Sequence, residues 1–443
     1  MESAIVNSLK FDLTDKTHRF KVLNAVNGGP LHRSHLADDK RSNFEDYKAL
    51  RIPYNRTHDA NHHGIYGGPY AYDISAVFPN FDADPYDPAS YDFACTDEAV
   101  KTSMEAGTKI FYRLGESIEH TIVKHVAHPP KDFKKWAVIC EHIIRHYTEG
   151  WANGFEYDME YWEIWNEPDL REEKPNDRPN WTGTRSQFFD LYEITAKHLK
   201  TCFPHLKIGG PAVSSRMYWM EDFLYVMRQR NVPIDFISWH SYCKEPKRML
   251  EKSATVTELL HKYQYDHAER ILNEWNYIRG WRDEDFIYSL KSIRGIKEAS
   301  FIMACMSAVQ STDYVDMLMY YDFMPSIWNG AFDYYTFKKL KAYYTFLWCG
   351  MFQDMEYAIN AENNIDNIYS LCGVDEAGKT LTVITYYNDD DTLANQQISV
   401  DFGKKGKYEI YLLDENHNGE LVKVTDNLEF DIKLYSLILI KEI

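Results

Sequence analysis

The feature that most constrains the fold is an alternation. From about residue 19 to 349, eight short apolar runs rich in β-branched and aromatic residues are separated by stretches with helical spacing. The runs are Phe20–Ala25, Arg51–Thr57, Lys109–Arg113, Tyr161–Trp165, Leu206–Gly209, Phe236–Trp239, Arg270–Leu272 and Met317–Tyr321. Between them, Phe133, Trp136, Cys140, Ile143, Ile144 and Tyr147 fall on one helical face, and Gly150 is placed as a stop. A further helix is predicted from about Ser289 to Gln310, with Leu290, Ile293, Ile296 and Ala299 along one side. Eight strand–helix units predict an α/β fold, a (β/α)8 TIM barrel over residues 15–349. A doubly wound sheet alternates similarly, but no GxGxxG or Walker loop follows an early strand.

The pattern changes at residue 350. Ile368–Val374, Thr380–Tyr387, Gln397–Asp401, Tyr408–Leu412 and Leu434–Ile440 are short and β-rich. Turn signals at Asp375–Gly378, Asn388–Asp391, Gly403–Gly406 and Asn418–Gly419 separate them. This predicts a C-terminal antiparallel β-sandwich domain over residues 350–443, joined by a possible strand from residues 1–14.

Composition narrows the partners. A net charge of −18 over 443 residues argues against nucleic acid and anionic membrane as electrostatic partners. The longest apolar run, Phe301–Val309, is too short to span a bilayer. The 7 cysteines are odd in number and form no CxxC pair, so neither a disulfide framework nor a zinc site is expected. The first residues lack a basic stretch followed by an apolar one, which predicts a cytoplasmic protein. The 33 Tyr and 11 Trp suit stacking against flat apolar faces such as those of sugars, although most aromatics fill cores. Oligomeric state is not legible.

Two short segments carry chemistry. Tyr161-Trp162-Glu163-Ile164-Trp165-Asn166-Glu167-Pro168-Asp169 ends the predicted fourth strand, and Ile271-Leu272-Asn273-Glu274-Trp275-Asn276 ends the seventh. In a barrel these ends face one cleft, which sets Glu167 against Glu274. Two carboxyls across a cleft are what glycoside hydrolysis needs: one protonated to release an alcohol, one ionised to attack carbon or activate water. Glu163 is a weaker candidate because it lies nearer the strand centre.

The order and local sequence of these segments resemble clan A of the retaining glycoside hydrolases, and more closely family 39, of β-xylosidases and α-L-iduronidase. The resemblance implies Glu167 as general acid/base and Glu274 as nucleophile, with Asn166 on the sugar 2-hydroxyl. Arg56-Thr57-His58 fits the family's Arg-x-His in the second strand, and Trp239-His240-Ser241-Tyr242 its His-x-Tyr beside the nucleophile. Tyr321 and Trp328, near the eighth strand's end, are candidate sugar platforms. The expected activity is that of a retaining, exo-acting glycosidase on small-molecule or oligosaccharide substrates, first a β-xylosidase. Alternatives are α-L-arabinofuranosidase, β-galactosidase, β-glucosidase, or a catalytically silent carbohydrate-binding barrel.

Neither metal nor cofactor is expected. His58, His62, His63 and Asp59 lack the spacing of a ligand pair, and Asp82, Asp84 and Asp87 lack the Gly and terminal Glu of a calcium loop. The long connection from His58 to Asp97 leaves the active end of the barrel and is expected to close over it. Its Tyr66, Tyr70, Tyr72 and Phe78 would meet sugar rings, and His62, His63 and Asp73 would meet hydroxyls.

Overall fold

The computed structural model describes residues 7–31, 42–59, 71–174 and 177–443. A first strand, β1 (Asn7–Lys10), precedes the barrel. The barrel strands are β2 (Val22–Asn27), β3 (Tyr54–Arg56), β4 (Lys109–Leu114), β5 (Tyr161–Ile164), β6 (Lys207–Val213), β7 (Phe236–Cys243), β8 (Glu269–Tyr277) and β9 (Met317–Tyr320). They close in sequence order, β9 pairing with β2, and every ladder is parallel. Each expected run supplies one strand. Pro53 sits just before β3, where its missing N–H costs no ladder bond and its carbonyl accepts from Lys109 N.

Interior positions change character along the strands. Successive inward residues read Tyr54 then Arg56, Tyr161 then Glu163, Phe236 then Ser238, and Ile271 then Asn273. The first of each pair belongs to, or packs against, a closed apolar layer with Ala25, Phe111, Met317 and Met319. The second lies one step nearer the C-terminal mouth and is buried and polar.

The helix at Phe133–Thr148 forms as expected, capped by Asp132, whose carboxylate accepts from Lys134 N and Lys135 N. The single helix expected over Ser289–Gln310 is instead two, Asp283–Ile293 and Ile296–Gln310. Gly295 adopts an extended conformation between them and interrupts the helical backbone. Of the second helix, all positions except Ala308 are buried, because it lies between the barrel and the C-terminal domain. A helix covered on every side needs no polar stripe, so its periodicity carried little signal.

The C-terminal domain contains β10 (Tyr357–Ile359), β11 (Ile368–Val374), β12 (Thr380–Tyr386), β13 (Gln396–Asp401), β14 (Tyr408–Leu413), β15 (Asn418–Thr425), β16 (Glu429–Ile432) and β17 (Leu437–Glu442). Six strands form one sheet in the order β10-β11-β12-β17-β14-β15, and β1-β13-β16 form the other. The N-terminal strand does join this domain, pairing parallel to β13. β12 is buried at every position because one face, with Leu381 and Val383, packs toward the barrel. Its other face, with Ile384 and Tyr386, packs within the sandwich core. Asn418–Gly419, expected as a turn, begins β15 instead, and the turn falls between it and Leu413.

Candidate active site

β5 and β8 deliver Glu167 and Glu274 to the same end of the barrel. Past β5 the chain turns sharply: Trp165 and Glu167 have φ of 72° and 43°, which side chains with a Cβ seldom adopt. Two backbone bonds hold the turn, Trp165 N to Leu114 O at 2.7 Å and Glu167 N to Ala212 O at 3.0 Å. Such strain costs about 1–3 kcal/mol per residue and persists only where neighbours fix it. On β8 the register against β7 shifts at Trp239/His240, so Leu272 pairs with Trp239 and Glu274 with His240. The extra residue, Asn273, and Glu274 both make interior contacts, which strict alternation would forbid.

Arg56 is the hub. Its guanidinium, wholly buried, donates to Glu163 at 2.7 Å, Glu274 at 2.7 Å, Asn166 Oδ1 at 2.7 Å and Asn27 Oδ1 at 3.0 Å. Burial works against its charge, but Glu163 and Glu274 outweigh that and raise its pKa. Glu163 also accepts from Ser238 Oγ and Asn273 Nδ2, both at 2.6 Å. It is a buried counter-ion beneath the mouth, fully engaged by three donors.

The two mouth carboxyls differ. Glu274 accepts from Arg56 and from Tyr242 OH at 2.9 Å, one charged and one phenolic donor. Glu167 meets His240 Nδ1 at 2.7 Å and Asn180 Nδ2 at 3.3 Å, with no cation bonded to it among the described residues. Burial, with the charge of Asp169 nearby, pushes the Glu167 pKa up to about 8. His240 is pushed down to about 3 by burial, so its ring is neutral, and its Nδ1 lies 3.3 Å from Glu274 as well. One oxygen of each carboxyl and a ring nitrogen of His240 all lie within 4.8 Å of one another.

The remaining expected residues gather round this pair. His58 Nε2 lies 3.2 Å from Asn166 Nδ2 and 3.1 Å from Asp59. Burial opposes the Asp59 anion, yet His58 and the Ile118 N–H bring its pKa down to about 2. The Tyr321 ring stands 6.4 Å from His58 and 6.2 Å from Tyr242, and Trp328 lies 6.2 Å from Tyr242. His62, His63, Tyr66 and Tyr70 lie outside the described residues.

The described part of the connection after β3 departs from expectation. Tyr72 is buried against Tyr112, Phe78 against Tyr91, and Asp73 bonds to Arg113 at 2.8 Å and to Ser117. Tyr72 and Phe78 thus pack in the barrel's flank, whereas Asp73 pairs with Arg113, the interior position two residues beyond Phe111 on β4.

Sequence reasoning missed other residues here. Asn27, Ser238 and Asn273 complete the polar layer under the carboxyls, and Asn180 reaches Glu167 from a later loop. Asp322 is buried, with its pKa well above the usual range because of burial and, less, the charges of Asp59 and Glu274. Trp281 packs on Tyr242 at 5.3 Å and on Trp328 at 5.8 Å while remaining 57% exposed. Its signal was an aromatic in a short polar turn seven residues past Glu274.

Among the described residues, two groups bring three metal-ligating side chains together, Glu167–His240–Glu274 and Glu141–His198–Cys202. In both a carboxylate already lies within hydrogen-bond distance of a histidine ring nitrogen, and in the second Glu141 also accepts from Arg145. No described helix is long and apolar enough to cross a membrane.

A closed parallel barrel carrying two carboxyls at its C-terminal mouth, one with a raised pKa and one bonded to a guanidinium, has the pair of groups that glycoside hydrolysis needs. Its sequence relatives agree. The family model described as glycosyl hydrolases family 39 matches residues 70–286. A β-xylosidase of Geobacillus stearothermophilus is 28% identical over 265 residues, covering 53% of this chain and 48% of that protein. A β-xylosidase of Caldicellulosiruptor saccharolyticus is 30% identical over 178 residues, covering 38% and 34%. The chain therefore matches about half the length, or less, of these curated relatives. A glucosidase structure from Croceicoccus marinus superposes with a TM-score of 0.78 at 20% identity, covering 99% of both chains. A GH39 β-xylosidase from Caulobacter crescentus superposes with a TM-score of 0.67 at 14% identity, over 98% of this chain and 99% of that one. At such identities the superpositions show the fold. Over residues 70–286 the chain is similar to glycoside hydrolase family 39.

Proposed function

We propose that the protein is a retaining, exo-acting glycoside hydrolase, and that its first substrate class is β-xylosides. The observation that carries the mechanism is the closeness of Glu167 and Glu274, with oxygens within 4.8 Å. Retaining enzymes hold their carboxyls about 5–5.5 Å apart, whereas inverting ones leave about 6.5–9.5 Å for a water. In this reading protonated Glu167 donates to the glycosidic oxygen while Glu274 attacks the anomeric carbon. Arg56 and Tyr242 hold Glu274 in place for that attack. The glycosyl–Glu274 ester then yields to a water that Glu167 deprotonates. Asn166, oriented by Arg56 and His58, presents its amide to the 2-hydroxyl. His240 supports both carboxyls without carrying charge.

The sugar rests on the two bacterial relatives named above, both β-xylosidases. α-L-Arabinofuranosides, β-galactosides and β-glucosides are the alternatives on the same machinery. The test is a panel of aryl glycosides of these sugars, with product anomers followed by NMR. The β-xyloside should be hydrolysed fastest and give the β-anomer first. An α-anomer as first product would exclude retention, and a silent panel would leave a binding barrel.

A further inference from the structure

We propose that the C-terminal β-sandwich sets the enzyme's hold on the leaving-group side of the substrate, through Asp389 clamping the segment that carries Trp281. This rests on the glycosidase reading above. The segment begins at Glu274, and Tyr277, Arg279 and Trp281 follow it within seven residues. Asp389 lies in the sandwich loop after β12. It accepts from Tyr277 OH at 2.5 Å and from Arg279 Nε and Nη2 at 3.1 Å. Lys297, on the buried helix between the domains, meets the same carboxylate at 3.0 Å. Burial would raise the pKa of Asp389, but these donors hold it below the usual range, so the clamp is ionic at neutral pH.

Trp281 is what the clamp presents. Its ring rests edge-on against Tyr242, whose hydroxyl bonds to Glu274, and it stays largely open to solvent. It lines two cavities of about 370 and 710 Å3, the first also lined by Tyr242, Lys244 and Arg279. An exposed indole one ring away from the nucleophile and lining open space is suited to stack a sugar or aryl leaving group. A turn containing Gly280 would let that ring wander; two ionic tethers on Arg279 fix it.

Two substrates of one sugar separate the two sides of the scissile bond: the glycosyl fluoride, whose leaving group is a single atom, and the disaccharide. Trp281→Ala should lower kcat/KM for the disaccharide about tenfold more than for the fluoride, mostly through KM. Asp389→Ala should shift the same ratio in the same direction, and adding it to Trp281→Ala should change the ratio no further. Asp389→Asn, still able to accept from Tyr277, should fall between. If Asp389→Ala does not fold, Arg279→Met opens the clamp from the barrel side with the same expected shift. An unchanged ratio with lowered Tm, or effects that simply multiply, would overturn the proposal. A wild type that hydrolyses neither substrate would instead overturn the glycosidase reading on which it stands.

Discussion

The two halves of the barrel interior are built to opposite rules. In the lower half Phe111, Tyr161 and Phe236 pack ring to ring at 5.2–5.7 Å, with Ala25, Ile271, Met317 and Met319 filling between them. Two to four residues further along the barrel strands, Arg56, Glu163, Glu274 and His240 share one buried network. The lower half stabilises by burying apolar surface at about 25 cal/mol per Å2. The upper half gains little net stability, because desolvating charges offsets most of their attraction. It holds Glu167 in a left-handed turn and in a proton-binding state that water would not favour. The difference teaches that this mouth is shaped for chemistry and the base for stability, so substitutions in the two should separate rate from folding.

The largest separation is expected at Glu167. Glu167→Ala should slow turnover of glycosides with poor leaving groups by about 10²–10⁴-fold, while sparing activated aryl glycosides, and azide should restore the lost rate. The same side chain fixes a pH limb. The first step needs the protonated form, so kcat/KM on poor leaving groups should fall as pH rises through about 8, and that limb should vanish in the variant. Unchanged Tm with lost activity keeps the comparison; equal rates on good and poor leaving groups would break the assignment.

The next effect pairs one substitution from each half. Phe111→Ala should cost about 3–5 kcal/mol of stability by opening a cavity, with turnover per folded molecule intact. Arg56→Met should also cost about 3–5 kcal/mol, since it strands Glu163 without a cation, and should abolish turnover by freeing Glu274. Urea titrations beside active-site-normalised rates read both. A Phe111→Ala enzyme that is folded but slow would mean that the base also tunes the mouth.

How much of this was legible follows from the kind of signal each region sends. The strands announced themselves because parallel barrel strands are buried on both faces and read as apolar runs. Glu167 and Glu274 were legible because each ends such a run beside an asparagine. The support beneath them was not: Ser238 and Asn273 look like ordinary strand residues, and the shifted register that lets Glu274 face inward directly after Asn273 leaves no mark in sequence. Trp281 and Asp389 are 108 positions apart and are joined through Arg279 and Tyr277, so no local pattern could connect them. Tyr72 and Phe78 misled for a related reason. A long aromatic loop predicts burial, but not whether the mouth or the flank does the burying.

The smallest effect tests a buried carboxyl that the chemistry does not use. Glu298 lies on the helix between barrel and sandwich; one oxygen accepts from Tyr320 OH at 3.0 Å, and the other has no partner among the described residues. Burial pushes its pKa up to about 8. The folded state therefore keeps a proton that the unfolded chain releases near the ordinary value of 4.5. Between those values the folded form binds more protons, so stability falls as pH rises, by about 1.4 kcal/mol per unit from this one group. Glu298→Gln keeps the acceptor for Tyr320 and removes the ionisation. Against the wild type, its stability advantage should therefore grow by about 1.4 kcal/mol between pH 6 and pH 7 and vanish near pH 4.5, as read by denaturant midpoints at each pH. Turnover should not change, because Glu298 contacts neither mouth carboxyl. A difference between the two proteins that is flat with pH would show that this carboxyl is ionised in the fold. Buried charge would then be tolerated outside the mouth too, and the contrast between a costly upper half and an inexpensive remainder would lose its edge.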